Sequence, residues 1–164
     1  MYRSFIGLLF LFVISGCVSH EEKEYQAYLR EYNRIIANPA PSTWKLDTPW
    51  SLVLLDESSK IVETMQVEFT SLAAKTCTSG DWRRLRVIEA NSEVQAIASS
   101  GFIPEPAYTL TGSYLVIDLN ANICDAGNEL RGEITELGIS GTRQTVHMFG
   151  GEKLGRFVGI RVGS

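Results

Sequence analysis

The sequence predicts a mainly β protein, an antiparallel β-barrel or two-sheet sandwich of about eight strands preceded by one N-terminal helix. Three observations carry this. From Trp44 onward the apolar residues recur at every second position instead of every third or fourth, which is the period of a half-buried strand. About eight such runs follow one another, each bounded by Gly, Pro, Asn, Asp or Ser, the residues that make turns. A meander of that kind exposes two edges unless it closes on itself or folds into two packed sheets.

The helix comes first. In HEEKEYQAYLREYNRIIANPAPSTW, Tyr25, Tyr28, Leu29, Tyr32, Ile35 and Ile36 recur at intervals of three and four, so they share one side of a helix over about Glu21 to Ala37. Glu21 and Glu22 sit in its first turn, where the helix dipole favours acids, and Arg30 and Arg34 toward its end. Asn38-Pro39-Ala40-Pro41 stops it. The tyrosine stripe packs onto the chain's own β domain or, alternatively, meets a partner.

The strands follow in order. WSLVLLD is the first, and in IVETMQVEFT the residues Ile61, Met65, Val67 and Phe69 share one face while Thr64, Gln66, Glu68 and Thr70 share the other. DWRRLRVIE, PAYTLTGSYLVIDL, ELRGEITEL, RQTVHMF and GRFVGIRV behave alike, with Thr111-Gly112-Ser113 dividing the long central run into two strands. GGEKLG is the expected hairpin between the last two. NSEVQAIASSG, residues 91–101, reads as a short helix or a loop, and no internal repeat is present.

The start of the chain is a different kind of segment. MYRSFIGLLFLFVIS has one positive charge, Arg3, followed by an almost unbroken apolar run from Phe5 to Ile14. That run is too short to span a bilayer as a helix, which takes about 20 apolar residues, and it fits a secretory signal peptide. Ile14-Ser15-Gly16-Cys17 resembles the bacterial lipobox, a branched aliphatic residue followed by two small residues and a cysteine. The resemblance implies that Cys17 receives a diacylglyceryl group, that cleavage falls after Gly16, and that the new N-terminus is acylated. It also implies an outer-membrane address facing the periplasm, because Val18 and Ser19 stand where an aspartate tends to retain such proteins at the inner membrane. The divisions are then a signal peptide over 1–16, a lipidated tether and helix over 17–43, and a β domain over 44–164.

Removing residues 1–16 from 164 leaves 148, enough for one domain with its own core. It also removes one basic residue, so the net charge moves from −4 to −5. A mildly acidic chain has no electrostatic reason to seek nucleic acid. No later apolar stretch approaches spanning length, so membrane attachment is expected through the lipid alone. In an oxidising envelope the two remaining cysteines, Cys77 and Cys124, are expected to form a disulfide.

The shape, with the glycine spacing of LRGEITELGISG and GGEKLGRFVGIRV, is similar to the small barrels of lipocalin-like bacterial lipoproteins. Ser79-Gly80 and Ser140-Gly141 resemble the serine-glycine loops of bacterial lysozyme inhibitors.

Candidate binding residues lie in TCTSGDWRRLR. Alternation puts Trp82, Arg84, Arg86 and Ile88 on one face and Arg83, Leu85, Val87 and Glu89 on the other. Arginines beside a tryptophan can grip a carboxylate, a phosphate or an acidic protein loop, and both residue types become interface hot spots. The alternative is a solvated strand face whose arginines pair with local carboxylates.

In DLNANICDAGNE, the residues Asp118, Asn120, Asn122 and Glu129 stand at positions 1, 3, 5 and 12 of an EF-hand-like calcium loop. Ile123 occupies the place of the required glycine and the flanks read as strands, so polar turn residues explain the same letters. No metal and no other cofactor is expected.

Nor is catalysis expected. His147 lies in a strand pattern, no G-x-S-x-G elbow is present, and Glu133 and Glu136 point to opposite faces of one strand. The resulting expectation is a membrane-anchored envelope lipoprotein that acts as a non-catalytic protein-binding or assembly accessory. Two alternatives stand beside it: a small-ligand or lipid carrier using a barrel interior, and an inhibitor of a foreign hydrolase or toxin. A carrier requires a sizeable apolar cavity, and an accessory or inhibitor requires a filled core and an exposed patch.

Overall fold

Every strand in the molecule hydrogen-bonds to two neighbours, and the last returns to the first. The computed structural model describes residues 20–91 and 105–163. The signal segment, the lipobox with Cys17, and all but the first residue of 91–101 lie outside the described residues. Helix α1 (His20–Ala37) is followed by β1 (Pro49–Leu55), β2 (Ile61–Ala73), β3 (Arg83–Ala90), β4 (Ala107–Thr111), β5 (Tyr114–Asp118), β6 (Gly127–Thr135), β7 (Gly138–His147) and β8 (Gly150–Arg161). Neighbouring strands are antiparallel and run in sequence order around a closed barrel. Between the two architectures left open by the sequence, the barrel is the one found.

The period-two pattern explains the interior. Trp50, Leu52 and Leu54 of β1, Met65, Val67 and Phe69 of β2, and Leu115 and Ile117 of β5 are buried in one cluster with Tyr108, Leu130, Ile134, Ile139 and Phe157. Their alternates, such as Gln66 and Glu68, lie on the outside. Each fully buried side chain of this size stabilises by about 1.5–3 kcal/mol. The interior is apolar, whereas the lumen of a membrane-spanning barrel is polar. Among the described residues no helix is long and apolar enough to cross a membrane.

The two ends of the barrel differ. At one end Trp44, in the linker before β1, stacks into the core with ring centroids 4.5 Å from Phe69 and 5.6 Å from Trp50. This Trp44 end also carries the β4–β5 and β6–β7 turns. The other end carries the turn between β1 and β2 and the two-residue turn Met148-Phe149 between β7 and β8. That turn differs from the expected GGEKLG hairpin. Gly150 to Gly155 belong to β8, and Gly151 is needed there because a Cβ on it would meet the Thr145 carbonyl at 2.4 Å. The glycines mark close strand approach, a use indistinguishable from a turn by composition.

Helix α1 lies against the outside of β5 and β6. Tyr32 meets Tyr114 edge-to-face at 5.0 Å, Arg34 pairs with Glu133 at 2.9 Å, and the Ser113 hydroxyl donates to the Ile35 carbonyl at 2.9 Å. The helix end rests on Gly112, which has φ of 60° and where a Cβ would stand 2.3 Å from the Ile36 carbonyl oxygen. Both the backbone region and the space therefore demand glycine at that position. Gly112→Ala should lower the melting temperature by several degrees, corresponding to about 1–3 kcal/mol, and expose Tyr32 to solvent. Thermal melts followed by tyrosine fluorescence would check this, and an unchanged midpoint would contradict the seating of the helix on this turn.

Candidate binding surface

Around the barrel, the β3–β4 joint has the least backbone pairing. Among the described residues it consists of Arg83 opposite Tyr108 and Arg84 opposite Ala107, with one further bond from the Leu85 N–H to the Pro106 carbonyl at 3.0 Å. A flap formed by residues 74–82, between β2 and β3, covers the outside of this region. The Ala74 N–H donates to the Trp82 carbonyl, and the Cys77 N–H donates to the Ala121 carbonyl, each at 3.0 Å. Cys77 and Cys124 are joined by a disulfide with a Cα separation of 4.9 Å, as the cysteine count predicts. The bond ties the flap to the β5–β6 loop across the joint.

Trp82 is enclosed by this arrangement. It packs on Ala107 and Ala121 with Ala74 and Val116 beside it, is 9% exposed, and its indole N–H donates to the Ser79 carbonyl at 3.3 Å. The expected face thus needs correction at one residue. Trp82 does share the outer side of the sheet with Arg84 and Arg86, but the preceding residues of the flap cover it, so it is buried where the two arginines are exposed.

Arg84 and Arg86 are exposed, and Leu85 between them is buried in the core. Arg84 Nε donates to the Ala73 carbonyl at 3.2 Å, which holds the root of the flap. Arg86 pairs with Glu68, directly across on β2, whose carboxylate is largely buried while the guanidinium is open to solvent. Exposed Leu72 and Ile88 lie on the same two strands. Leu72 escapes sequence reasoning because the register shifts between Phe69 and Ala73, which breaks the alternation that would have assigned its face. The surface combines two arginines with two apolar side chains.

A second recess lies where the helix crosses the barrel. This cleft of about 660 Å3 is lined by Tyr28, Glu31 and Ile35 of the helix and by Tyr114, Arg131 and Thr142 among the strand residues. Arg131 Nε donates to Glu129 at 2.5 Å, and Gln144 also reaches Glu129, at 3.5 Å. Burial, and then the nearby Tyr28 hydroxyl, pushes the Tyr114 phenol up to about 12. The tyrosine spacing on the helix signals this contact in the sequence, but its strand partners do not stand out.

Inside the barrel the buried side chains from Trp50 to Phe157 pack into one cluster. A recess of about 290 Å3 opens at the Trp44 end, between Trp44, Leu46, Asp81, Arg83, Tyr108 and Leu110. Asp81 and Arg83 pair across it at 3.5 Å, and the Tyr108 hydroxyl donates to the Thr70 carbonyl at 2.7 Å.

The remaining candidates are dispersed. Asp118 Oδ1 accepts from the backbone N–H groups of Asn120 and Asn128, Asn122 Oδ1 accepts from that of Glu105, and Glu129 pairs with Arg131. These oxygens bind backbone and side-chain donors, in their own loop and, at Glu105, just before β4. Burial raises the Asp118 carboxyl above the usual carboxylate range, against the pull of those two N–H groups. Among the described residues no three His, Cys, Asp or Glu side chains are placed to hold a metal ion. His147 is exposed opposite Gly150, with Nδ1 accepting from the Phe149 N–H. Glu133 faces the helix, and Glu136 lies in the turn before β7.

No protein-family model, no curated protein and no solved structure matches this chain.

The raised Tyr114 phenol has a consequence at alkaline pH. The folded state holds this proton more tightly than the unfolded chain, so its contribution is complete below about pH 10 and is lost as the pH climbs toward 12. Thermal stability should fall through that window, and Tyr114→Phe should fall less. Melting curves of both proteins at stepped pH check this, and identical declines would contradict it.

Proposed function

We propose that the chain is an envelope lipoprotein, anchored through acylated Cys17 in the outer membrane and facing the periplasm, whose barrel binds a protein partner and performs no catalysis. The observation that carries this is the filled interior. A carrier needs an apolar cavity of several hundred Å3 that encloses its ligand. Here Trp50, Phe69, Tyr108 and Phe157 pack together in the interior, and what remains at the Trp44 end is an open recess of about 290 Å3. Recognition therefore falls to the outside, where Arg84 and Arg86 stand with Leu72 and Ile88 above a support stiffened by the disulfide and by Trp82.

A surface of this composition suits an acidic segment of a partner protein that also offers apolar contact. Arginine supplies bidentate bonds to carboxylates, and a neighbouring apolar rim excludes water from them. An inhibitor of a foreign hydrolase or toxin would use the same kind of surface.

The test is photocrosslinking in living cells from a probe at Leu72, compared with the Arg84→Glu, Arg86→Glu double variant. The double variant should melt below the parent, since Arg86→Glu sets a second acid against the largely buried Glu68 carboxylate, yet remain folded by circular dichroism, and should lose at least about tenfold of a discrete crosslinked band. Undiminished crosslinking in the double variant would remove this surface. Co-purification of a stoichiometric small molecule or lipid within the barrel would favour the carrier.

A further inference from the structure

We propose that the end of the barrel carrying the Met148-Phe149 turn faces the lipid bilayer, with these two side chains entering its interfacial region. This rests on the lipid anchor at Cys17 proposed above and adds an orientation and a second contact, made by the protein itself.

The turn is unusual in composition for its position. Phe149 is 91% exposed and Met148 76% exposed, at the tip of a two-residue connection. The Phe149 N–H donates to His147 Nδ1, so the backbone is held while both side chains point away from the barrel. Ile61 and Val62, exposed at the start of β2, lie at the same end. Apolar side chains on a projecting tip gain from a lipid interface what they lack in water.

The path of helix α1 identifies the occupant. Its C-terminal end rests on Gly112 and Ser113 at the Trp44 end, and Arg34 meets Glu133. About two turns earlier in the chain, Tyr28 shares a cleft with Arg131 and Gln144. On the β6–β7 ladder those residues lie beyond Glu133 toward His147. The helix thus runs from its N-terminus near the Met148-Phe149 end to its C-terminus at the Trp44 end. Eight more residues back to His20 advance about 12 Å at 1.5 Å per residue. Three strand residues from Gln144 to His147, the end of β7, advance about 10 Å, and the turn follows.

Cys17 precedes His20 by three residues, which span at most about 11 Å. An acylated Cys17 therefore holds the start of the helix within that distance of the headgroups, and the end of the barrel beside it must lie close to the surface. Basic and acidic residues are mixed near the turn, with Lys153 and Arg156 against Glu152 and Asp56. Apolar entry, not charge attraction, is the contact that this end offers.

The experiment uses the full-length acylated protein purified from its membrane and reconstituted in phosphatidylcholine vesicles. Cys77 and Cys124 are bonded to each other, so a cysteine introduced at Phe149 or at Leu137 can be labelled singly with an environment-sensitive fluorophore. Leu137 is 93% exposed in the β6–β7 turn at the opposite end and serves as the reference. The label at Phe149→Cys should shift to the blue and lose roughly half of its emission to spin-labelled lipid, with no reversal in high salt, while the label at Leu137→Cys should stay water-like. Met148→Cys should repeat the Phe149 result.

If the protein carries its acyl mass and floats with the vesicles, yet the label at Phe149→Cys is unquenched or is quenched no more than that at Leu137→Cys, the orientation is overturned and the anchor stands. If the acyl mass is absent and the protein does not float, the anchor is refuted and the orientation with it.

Discussion

A barrel is a sheet that must meet itself, and its closure is no stronger than its poorest joint. Here, among the described residues, that joint is β3 with β4, where two opposed residue pairs and one flanking hydrogen bond stand in for the longer ladders elsewhere. The molecule compensates from outside. Cys77, in the flap that precedes β3, is bonded to Cys124, in the loop that follows β5, so the covalent link encloses the joint together with both of its strands. In the chain-entropy account, a loop of this length stabilises by about 4 kcal/mol, a large share of a small domain's margin. Trp82 turns that tether into a packed surface by filling the gap between the flap and the sheet.

This arrangement links the disulfide to the proposed binding surface. Arg84 is one of the joint residues, and its guanidinium holds the Ala73 carbonyl at the root of the flap. Loss of the disulfide would therefore loosen both the closure of the barrel and the platform on which Arg84 and Arg86 stand. The interior braces the same sheet from the other side, with aromatic and aliphatic side chains packed from Trp44 to Phe157.

Much of this was legible in the sequence. The alternation of IVETMQVEFT assigned Ile61, Met65, Val67 and Phe69 to one face because a strand's side chains can point only two ways; the last three are in the core, while Ile61, at the very start of β2, is exposed, and an even cysteine pair could close only one bond. The break at Thr111-Gly112-Ser113 was readable as a turn, but not the helix end that rests on it, since that contact depends on chain segments far apart in sequence. Three features escaped for similar reasons. Alternation placed Trp82 on the outer side correctly but could not show that a neighbouring loop folds over it. Leu72 was lost to a register shift, and Gly150-Gly151 looked like a turn when the turn was Met148-Phe149. The spacing of Asp118, Asn120, Asn122 and Glu129 imitates a calcium loop, yet backbone N–H groups and Arg131 take up oxygens that a cation would need.

The central claim is that the Cys77–Cys124 bond closes the β3–β4 joint. Native-state hydrogen exchange, read residue by residue in the oxidised protein and in a Cys77→Ser, Cys124→Ser variant, tests it most directly. The account predicts that amides of residues 74–85 and of β4 lose protection by orders of magnitude in the variant while the β6–β7–β8 ladders keep theirs. Protection that falls evenly over all eight strands, or stays unchanged at β3 and β4, would contradict it.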